Sequence, residues 1–227
     1  MKRFVLGDIH GANQALVQVL ERSSFDPKND LLICLGDVCD GWPETKEAIT
    51  TLLKIKNLVY ILGNHDYWAL EWALSGESPE IWLSQGGEAT IKSYHPSGMP
   101  QEHIKLLSEA PYYHILDNKL FVHAGIDPRL PVEVQETETL LWDRELYKKA
   151  LSARLSNQTS LTPYEEVYIG HSPIHYYSMK PIQACEIWLM DTGAGWDGVL
   201  SIMNIDTKEP FVSDYVSGLY PMAAGRL

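Results

Sequence analysis

Glycine stands beside a metal-capable side chain at the end of five short apolar runs. In chain order the segments read GDIHG from position 7, GDVCD from 36, GNHD from 63, HAG from 123 and GHSP from 170. Their donor side chains are Asp8, His10, Asp37, Asp40, Asn64, His65, His123 and His171. One Gly-Asp pair after a strand is usually only a turn, and one histidine there is usually structural. Repetition at five run ends instead indicates a shared site, where glycine permits tight turns and close approach of the backbone.

Carboxylate, amide and imidazole donors form a set of mixed hardness, which suits Mn²⁺, Fe or Zn²⁺ better than Ca²⁺. The cysteines show no cluster of the kind that a structural zinc site needs. One carboxylate among such donors can bridge two ions about 3.5–4 Å apart, which then clamp a phosphoryl group and activate a water. The residue types therefore predict two divalent metal ions, with Mn²⁺ first and Fe or Zn²⁺ as alternatives.

The elements that would position these donors follow from the apolar pattern. Short runs rich in β-branched and aromatic residues predict strands buried on both faces, over 4–6, 31–35, 58–62, 120–122, 167–169 and 187–190. Helical spacing covers 11–22 and 43–56, with Asn13 as a candidate cap of the first helix. This order predicts an α/β domain in which a sheet sandwich is flanked by helices. Donors beyond the carboxyl ends of its strands should converge.

The length of 227 residues suits one domain with a large core, so a single domain over 1–227 is expected. The stretch of about 67–111 is different, because it holds three tryptophans and a QGG segment between predicted strands. It reads as helices and loops inserted over the site. Trp68 and Trp72 lie at helical spacing, for which core packing is the expectation.

Charge and cysteine usage limit the partners. A net charge of -12 argues against binding to a nucleic-acid duplex or an anionic membrane. No apolar run is long enough to cross a bilayer, and the run near the N-terminus is too short for a signal peptide. Three cysteines without paired spacing favour a reduced, cytoplasmic compartment. The oligomeric state is left open, and a monomer is compatible with this pattern.

The five segments, in this order, resemble the phosphoprotein phosphatase family of calcineurin-like metallophosphoesterases, especially its compact bacterial and phage serine/threonine phosphatases. The resemblance runs from Asp8 to about Ile205 and implies a four-layer αββα fold of mixed sheets. It also implies a dinuclear site: Asp8 and His10 on the first metal, Asp37 bridging, and Asn64, His123 and His171 on the second. His65 would be the general acid, oriented by Asp40, because a carboxylate partner favours the charged imidazole.

One departure from the family pattern lies in the second segment. The family usually has an arginine that grips the substrate phosphate directly after the second aspartate, whereas this chain has Gly41 followed by Trp42. Arg144, in LLWDRE, is the remaining candidate for a bidentate phosphate clamp. An ion pair with a neighbouring acid on a surface helix is the alternative. Arg129 is a weaker candidate, for which an exposed loop is expected.

Three functions are compatible with these residues. The first is a metal-dependent phosphomonoesterase, above all a serine/threonine or dual-specificity protein phosphatase, acting on a phosphoprotein or a small phosphoester. The second is a symmetrical dinucleoside polyphosphate or nucleotide hydrolase, since the missing arginine leaves substrate preference open. The third, a binding protein that has lost catalysis, is disfavoured because the chain keeps the full donor set.

Overall fold

The computed structural model describes residues 1–154, 156 and 159–226. Within that part of the chain, the strands form two five-stranded sheets. The strands are β1 Arg3–Leu6, β2 Leu31–Cys34, β3 Asn57–Tyr60, β4 Tyr113–Leu116, β5 Lys119–Val122, β6 Glu166–Ile169, β7 Ile182–Ala184, β8 Ile187–Leu189, β9 Ser201–Asn204 and β10 Pro210–Val212.

Helices cover the outer faces of the sheets and fill the connections. They are α1 Asn13–Arg22, α2 Thr45–Leu52, α3 Asn64–Ser75, α4 Glu80–Trp82, α5 Glu88–Tyr94, α6 Gln101–Ser108, α7 Thr137–Trp142, α8 Glu145–Ala153 and α9 Val216–Leu219. A π-helical turn at Leu83–Gly87 joins α4 to α5, and a 3₁₀ turn lies at Val132–Val134.

Each sheet contains three parallel strands and two further strands that pair antiparallel, both on one side in the first sheet and one at each edge in the second. The first has the order β10-β9-β1-β2-β3, with β1, β2 and β3 parallel. The second has the order β4-β5-β6-β8-β7, with β5, β6 and β8 parallel. In the first sheet Leu6 lies opposite Cys34, which lies opposite Tyr60. The parallel strands therefore end in line, and the loops that follow them are neighbours.

Successive side chains along a strand point to opposite faces of its sheet, one towards the other sheet and one towards the helices. In β1, Val5 faces the second sheet, where it belongs to the same buried cluster as Phe121 and Tyr168. Its neighbours Phe4 and Leu6 belong instead to the cluster under α1 and α2. Full burial of such a side chain stabilises by about 1.5–3 kcal/mol, so a register slip would be costly. The predicted fold class, two mixed sheets flanked by helices, is confirmed.

Some local predictions were wrong. Asn13 does not cap α1: the cap position is Ala12, and the Asn13 side-chain oxygen accepts a hydrogen bond from Thr51 Oγ1 at 2.8 Å. This bond ties α1 to α2. Four strands were not predicted, namely β4, β7, β9 and β10, and each pairs antiparallel with a neighbour. The 67–111 stretch does consist of helices and short loops, while the assignment of 1–227 to one domain stays a prediction.

Candidate dinuclear metal centre

The loops at the strand ends hold site residues in the left-handed backbone region. The φ angles are 50° at His10, 50° at Asp37, 72° at Asp40 and 62° at His171. Each such non-glycine residue costs about 1–3 kcal/mol and persists only when its surroundings hold it there. Before Asp37, Gly36 has φ 97°, and a Cβ there would lie 2.5 Å from the backbone nitrogen of Gly63. Glycine is required at this crossing of two loops.

Two groups of donors meet at Asp37. Asp8, His10 and Asp37 form one group, and Asp37, His123 and His171 form the other; within each group the ligand atoms lie within 4.8 Å of one another. All five side chains are buried. They come from both sheets, and the backbone N–H of His171 donates to Asp8 Oδ2 at 2.8 Å. The structure therefore brings these five donors into two groups that share Asp37, while their role as ligands of two metals stays a prediction.

Hydrogen bonds to the backbone orient two of the imidazoles. His10 Nδ1 lies 3.0 Å from the carbonyl oxygen of Cys39, and His123 Nδ1 lies 2.8 Å from that of Leu35. Because a carbonyl can only accept, each Nδ1 carries a proton and each Nε2 presents a lone pair when the ring is neutral. Those Nε2 atoms lie 3.7 Å and 3.4 Å from Asp37 Oδ2. Such tautomer fixation is typical of metal-binding histidines.

Unpartnered buried atoms support a metal site. Asp8 Oδ1 and His171 Nε2 are buried without a hydrogen-bond partner in the described part of the chain. A buried polar atom without a partner is costly, so each such atom calls for an explanation, and a ligand is one. Asn64 Oδ1 lies 2.9 Å from both His123 Nε2 and His171 Nδ1, which places an amide oxygen among the same donors. The donors therefore fit two divalent cations.

Proton occupancy in the metal-free site follows from burial and charge. Burial, then the charge of Asp191, raises the pKa of the Asp8 carboxyl well above its usual range. Burial acts to lower the pKa of His123, but the charge of Asp37, the hydrogen bond to Asp37 and the charge of Asp8 together outweigh burial and raise that pKa to about 9. Metal ligands bind in their deprotonated forms, so cations would displace protons from both residues.

A carboxylate that the sequence analysis left without a role anchors the site. Asp66 accepts hydrogen bonds from the backbone N–H groups of Asp37, Val38 and Cys39 at 2.7, 2.9 and 3.1 Å. It also accepts from the Gly63 N–H at 3.0 Å and from the Tyr60 hydroxyl at 2.6 Å. Five donors on one buried carboxylate fix the loop that carries Asp37. Its place in the GNHD segment was the signal that could have identified it.

His65 and Asp40 form the pair that the sequence predicted. His65 Nδ1 lies 2.7 Å from Asp40 Oδ2, and both side chains are buried. Asp40 is itself held by Trp82 Nε1 and by Thr90 Oγ1, which donate to its two oxygens at 2.7 Å each. The carboxylate is therefore fixed from three sides, and the imidazole that it orients keeps Nε2 for other contacts.

Beside this pair lies a cleft of about 230 Å³. Arg144 lines it and donates through Nη1 to Ser172 Oγ at 3.3 Å, so it is not the surface ion pair of the alternative interpretation. Arg129 is exposed and pairs with Asp127, as expected of a loop residue. Trp68 packs against the core as predicted, but its ring also lines the cleft, 5.3 Å from the His65 ring.

Arg226 also lines the cleft, and sequence reasoning missed it. Its guanidinium Nη1 lies 3.3 Å from His10 Nε2, although the two residues are 216 positions apart. It belongs to no motif, and no local pattern connects it to the strand-end segments.

Comparison with known proteins identifies the family to which this fold and donor set correspond. A family model described as calcineurin-like phosphoesterase matches residues 1–196. The chain belongs to that family, and the resemblance to the phosphoprotein phosphatases is confirmed.

Named relatives fall into two groups, serine/threonine-protein phosphatases and symmetrical bis(5'-nucleosyl)-tetraphosphatases. Serine/threonine-protein phosphatase 1 of Salmonella typhimurium is 25% identical, over 89% of this chain and 91% of its own length. Serine/threonine-protein phosphatase 2 of Escherichia coli is 35% identical, over 67% of this chain and 72% of its own. The symmetrical bis(5'-nucleosyl)-tetraphosphatase of Pseudomonas fluorescens is 24% identical, over 93% and 94%. The solved structure of a candidate diadenosine tetraphosphatase superposes with a TM-score of 0.72 at 19% identity, covering 93% of this chain and 92% of that one.

In the described part of the chain, no helix combines the length and the apolar character needed to cross a membrane.

Proposed function

We propose that this metallophosphoesterase is a phosphomonoesterase that removes phosphate from phosphoserine or phosphothreonine in proteins, with dual specificity towards phosphotyrosine. The observation that carries the proposal is the placement of the buried His65–Asp40 pair and of Arg144 at a cleft that is also lined by His171, a member of one of the two donor groups that share Asp37.

Each residue of the site has a task in this reaction. Asp8, His10, Asp37, Asn64, His123 and His171 would hold two divalent ions, which supply Lewis acidity and an activated water for direct attack on phosphorus. Arg144 binds phosphoryl oxygens, and the cleft wall limits access of bulk water. His65 donates a proton to the leaving oxygen, while Asp40 keeps its ring oriented. No phosphorylated enzyme residue is required.

Relatives named serine/threonine-protein phosphatases support the first candidate. The two phosphatase relatives match over most of their own length, 91% and 72%. The cleft of about 230 Å³ suits a phosphoryl group and the atoms next to it. The rest of a phosphopeptide would then lie across the rim, where Trp68 and Trp142 offer aromatic contacts.

Symmetrical hydrolysis of diadenosine tetraphosphate is the second candidate. It is supported by the Pseudomonas fluorescens relative, which matches over 94% of its length. The metal chemistry would be the same, and the difference lies in what the rim of the cleft binds.

We propose Mn²⁺ as the native metal, with Fe or Zn²⁺ as alternatives, on the basis of the mixed oxygen and nitrogen donors. A cytoplasmic location is proposed as well, supported by the unpaired buried thiols of Cys34 and Cys39. The expected partners are phosphoprotein or small phosphoester substrates, without nucleic-acid duplex or membrane; the oligomeric state is left open, with a monomer compatible.

A substrate panel on protein reconstituted with Mn²⁺ tests the proposal. The panel contains a phosphoserine peptide, a phosphotyrosine peptide, an aryl phosphate and diadenosine tetraphosphate, with Asp37→Asn as the control that should be inactive on all four. The phosphoserine peptide should give the highest kcat/KM. Preference for the dinucleotide would establish the second candidate. Absence of turnover on all four substrates, together with failure to bind two metals, would favour the third function, a binding protein without catalysis.

A further inference from the structure

The guanidinium of Arg226 reaches the cleft from the segment 213–226, far from the strand-end loops in sequence. Its Nη2 donates to Gln85 Oε1 at 3.0 Å, its Nη1 lies 3.3 Å from His10 Nε2, and its Nε is buried without a partner in the described part of the chain. The guanidinium carbon lies 4.7 Å from the centre of the Trp196 ring. Several donor hydrogens therefore remain available on a positioned cation.

The Arg226 side chain occupies the space beside Gly41. A Cβ at Gly41 would lie 3.2 Å from Arg226 Cγ, and one at Gly195 would lie 3.1 Å from Arg226 Cδ. Gly41 also has a φ of +96°, which a side chain rarely adopts. An arginine at position 41 would therefore be strained and would crowd Arg226. Glycine at position 41 therefore leaves room for the Arg226 side chain to pack beside it.

Trp42 supports the segment that carries Arg226. The Trp42 and Tyr220 rings stack with centroids 5.2 Å apart, and Trp42 Nε1 donates to the Ala194 carbonyl at 2.6 Å. Gly225 lies against the Trp42 ring, where an added Cβ would be only 2.7 Å from Cζ2. The backbone N–H of Arg226 donates to the Gly195 carbonyl at 2.7 Å. Both residues of the Gly41-Trp42 departure thus contact the segment that presents Arg226.

Arg226 and Arg144 share an electrostatic feature. Neither makes a salt bridge with a carboxylate in the described part of the chain, whereas Arg3, Arg22 and Arg129 each do. Both line the same cleft beside His65. Arg226 is partly buried, where a guanidinium without an anionic partner is costly, whereas Arg144 is exposed. A phosphoryl group would supply an anionic partner to both through charge-assisted hydrogen bonds.

We propose that Arg226 is a substrate-binding residue that supplies the phosphate-gripping guanidinium missing at position 41 and that acts together with Arg144. The inference rests on the proposed phosphoesterase function and extends it by naming how the phosphoryl group is held. Specificity follows from the same geometry, because the Arg226 side chain lines the cleft and limits the shape of the bound group.

The test compares Arg226→Gln, Arg226→Lys and Arg144→Ala, with the exposed Arg129→Ala as the matched control. For the Mn²⁺-loaded proteins, calorimetry measures the Kd of inorganic phosphate, and an aryl phosphate assay measures KM and kcat. Arg226→Gln should raise the phosphate Kd and KM by about 10- to 100-fold, the loss expected for a charge-assisted contact, with a smaller change in kcat. Arg226→Lys keeps the charge without the planar guanidinium, so its phosphate Kd and KM should lie between those of the wild type and of Arg226→Gln. The control should stay within about twofold.

Two results would overturn the assignment of Arg226. One is an unchanged phosphate Kd in Arg226→Gln with metal content intact. The other is a rise in kcat/KM, which would mean that the segment 213–226 obstructs the site. Phosphate binding does not depend on turnover, so a wild-type protein that binds phosphate through Arg226 but hydrolyses no ester would contradict the proposed function alone. If Arg226→Gln does not fold, Arg226→Lys alone decides, because loss of the planar guanidinium should still weaken phosphate binding.

Discussion

The two oxygens of Asp37 have different environments. Oδ1 accepts the backbone N–H of His65 at 2.9 Å, while Oδ2 faces the Nε2 atoms of His10 and His123 at 3.7 and 3.4 Å. The first contact aligns Asp37 with the neighbouring loop, and the second places an anionic oxygen between two imidazoles. His65, on that neighbouring loop, is thereby kept beside the donor groups without being one of them.

His65→Asn tests the separation between metal binding and proton donation. Asparagine keeps a smaller polar side chain but cannot deliver a proton near neutral pH, so kcat should fall by about 10²–10⁴-fold. The metal donors are untouched, so metal content, measured by elemental analysis after gel filtration, should equal that of the wild type. Turnover close to the wild-type value would remove His65 from the role of general acid.

Asp66→Asn tests the anchor under Asp37. The amide replaces one acceptor oxygen by a donor that faces backbone N–H groups, and each buried donor left unpaired costs about 1–3 kcal/mol. Urea unfolding of the metal-free protein should show a loss of at least about 2 kcal/mol, and Mn²⁺ affinity should drop as well. Asp26→Asn, at an exposed turn, is the control and should cost less than about 1 kcal/mol. Equal effects of the two substitutions would contradict the anchoring role.

At the scale of elements, the 67–111 stretch acts on catalysis through Asp40. Thr90 lies in α5, where its hydroxyl donates to Asp40 Oδ1 at 2.7 Å and accepts from the Asp40 backbone N–H at 2.9 Å. Trp82 at the end of α4 donates to the other oxygen. The short helices thus hold the carboxylate that orients His65, although they contribute no candidate metal ligand.

Thr90→Val removes both hydrogen bonds and preserves the volume of the side chain. The buried Asp40 backbone N–H and carboxylate each lose a partner, so unfolding should become easier by about 1–3 kcal/mol. His65 would be held less firmly, and kcat should fall several-fold while KM and Mn²⁺ affinity change little. Thr50→Val, on the exposed face of α2, is the control for the same substitution. A selective loss of metal affinity in Thr90→Val would argue against an effect that acts through Asp40 on His65.

The accuracy of sequence-based prediction differed between elements for physical reasons. The parallel strands β1, β2, β5, β6 and β8 are buried on both faces, so they appear as continuous apolar runs. The antiparallel strand β10 is only half-buried and has no such run. At the site, the strand-end glycines marked the donors, because loops at that crossing need glycine. No glycine or motif pointed to Arg226, because its position depends on the packing of its segment against Trp42 and on a contact with His10, 216 positions away in sequence.

Across the whole molecule, a net charge of -12 surrounds a site that concentrates buried acids. Divalent cations would offset part of that charge and provide partners for Asp8 Oδ1 and His171 Nε2. A ligand that binds only the folded state stabilises it, by about 2.7 kcal/mol at 100 times its Kd. Metal binding should therefore stabilise the fold as well as create the reactive site.

Stabilisation by metal should depend on pH. The pKa of His123 is raised from 6.5 to about 9 in the metal-free protein, so its proton stabilises that state below pH 6.5, and the benefit disappears as pH rises through about 9. Metal requires the neutral ring, so Mn²⁺ binding releases this proton, and its apparent affinity should increase with pH up to about 9. The rise in Tm on adding Mn²⁺ should therefore be larger at pH 8.5 than at pH 6.5, as measured by calorimetry. In Asp37→Asn the Mn²⁺ effect should be small at both pH values, whereas a pH-independent rise in the wild type would show that no ligand loses a proton on binding.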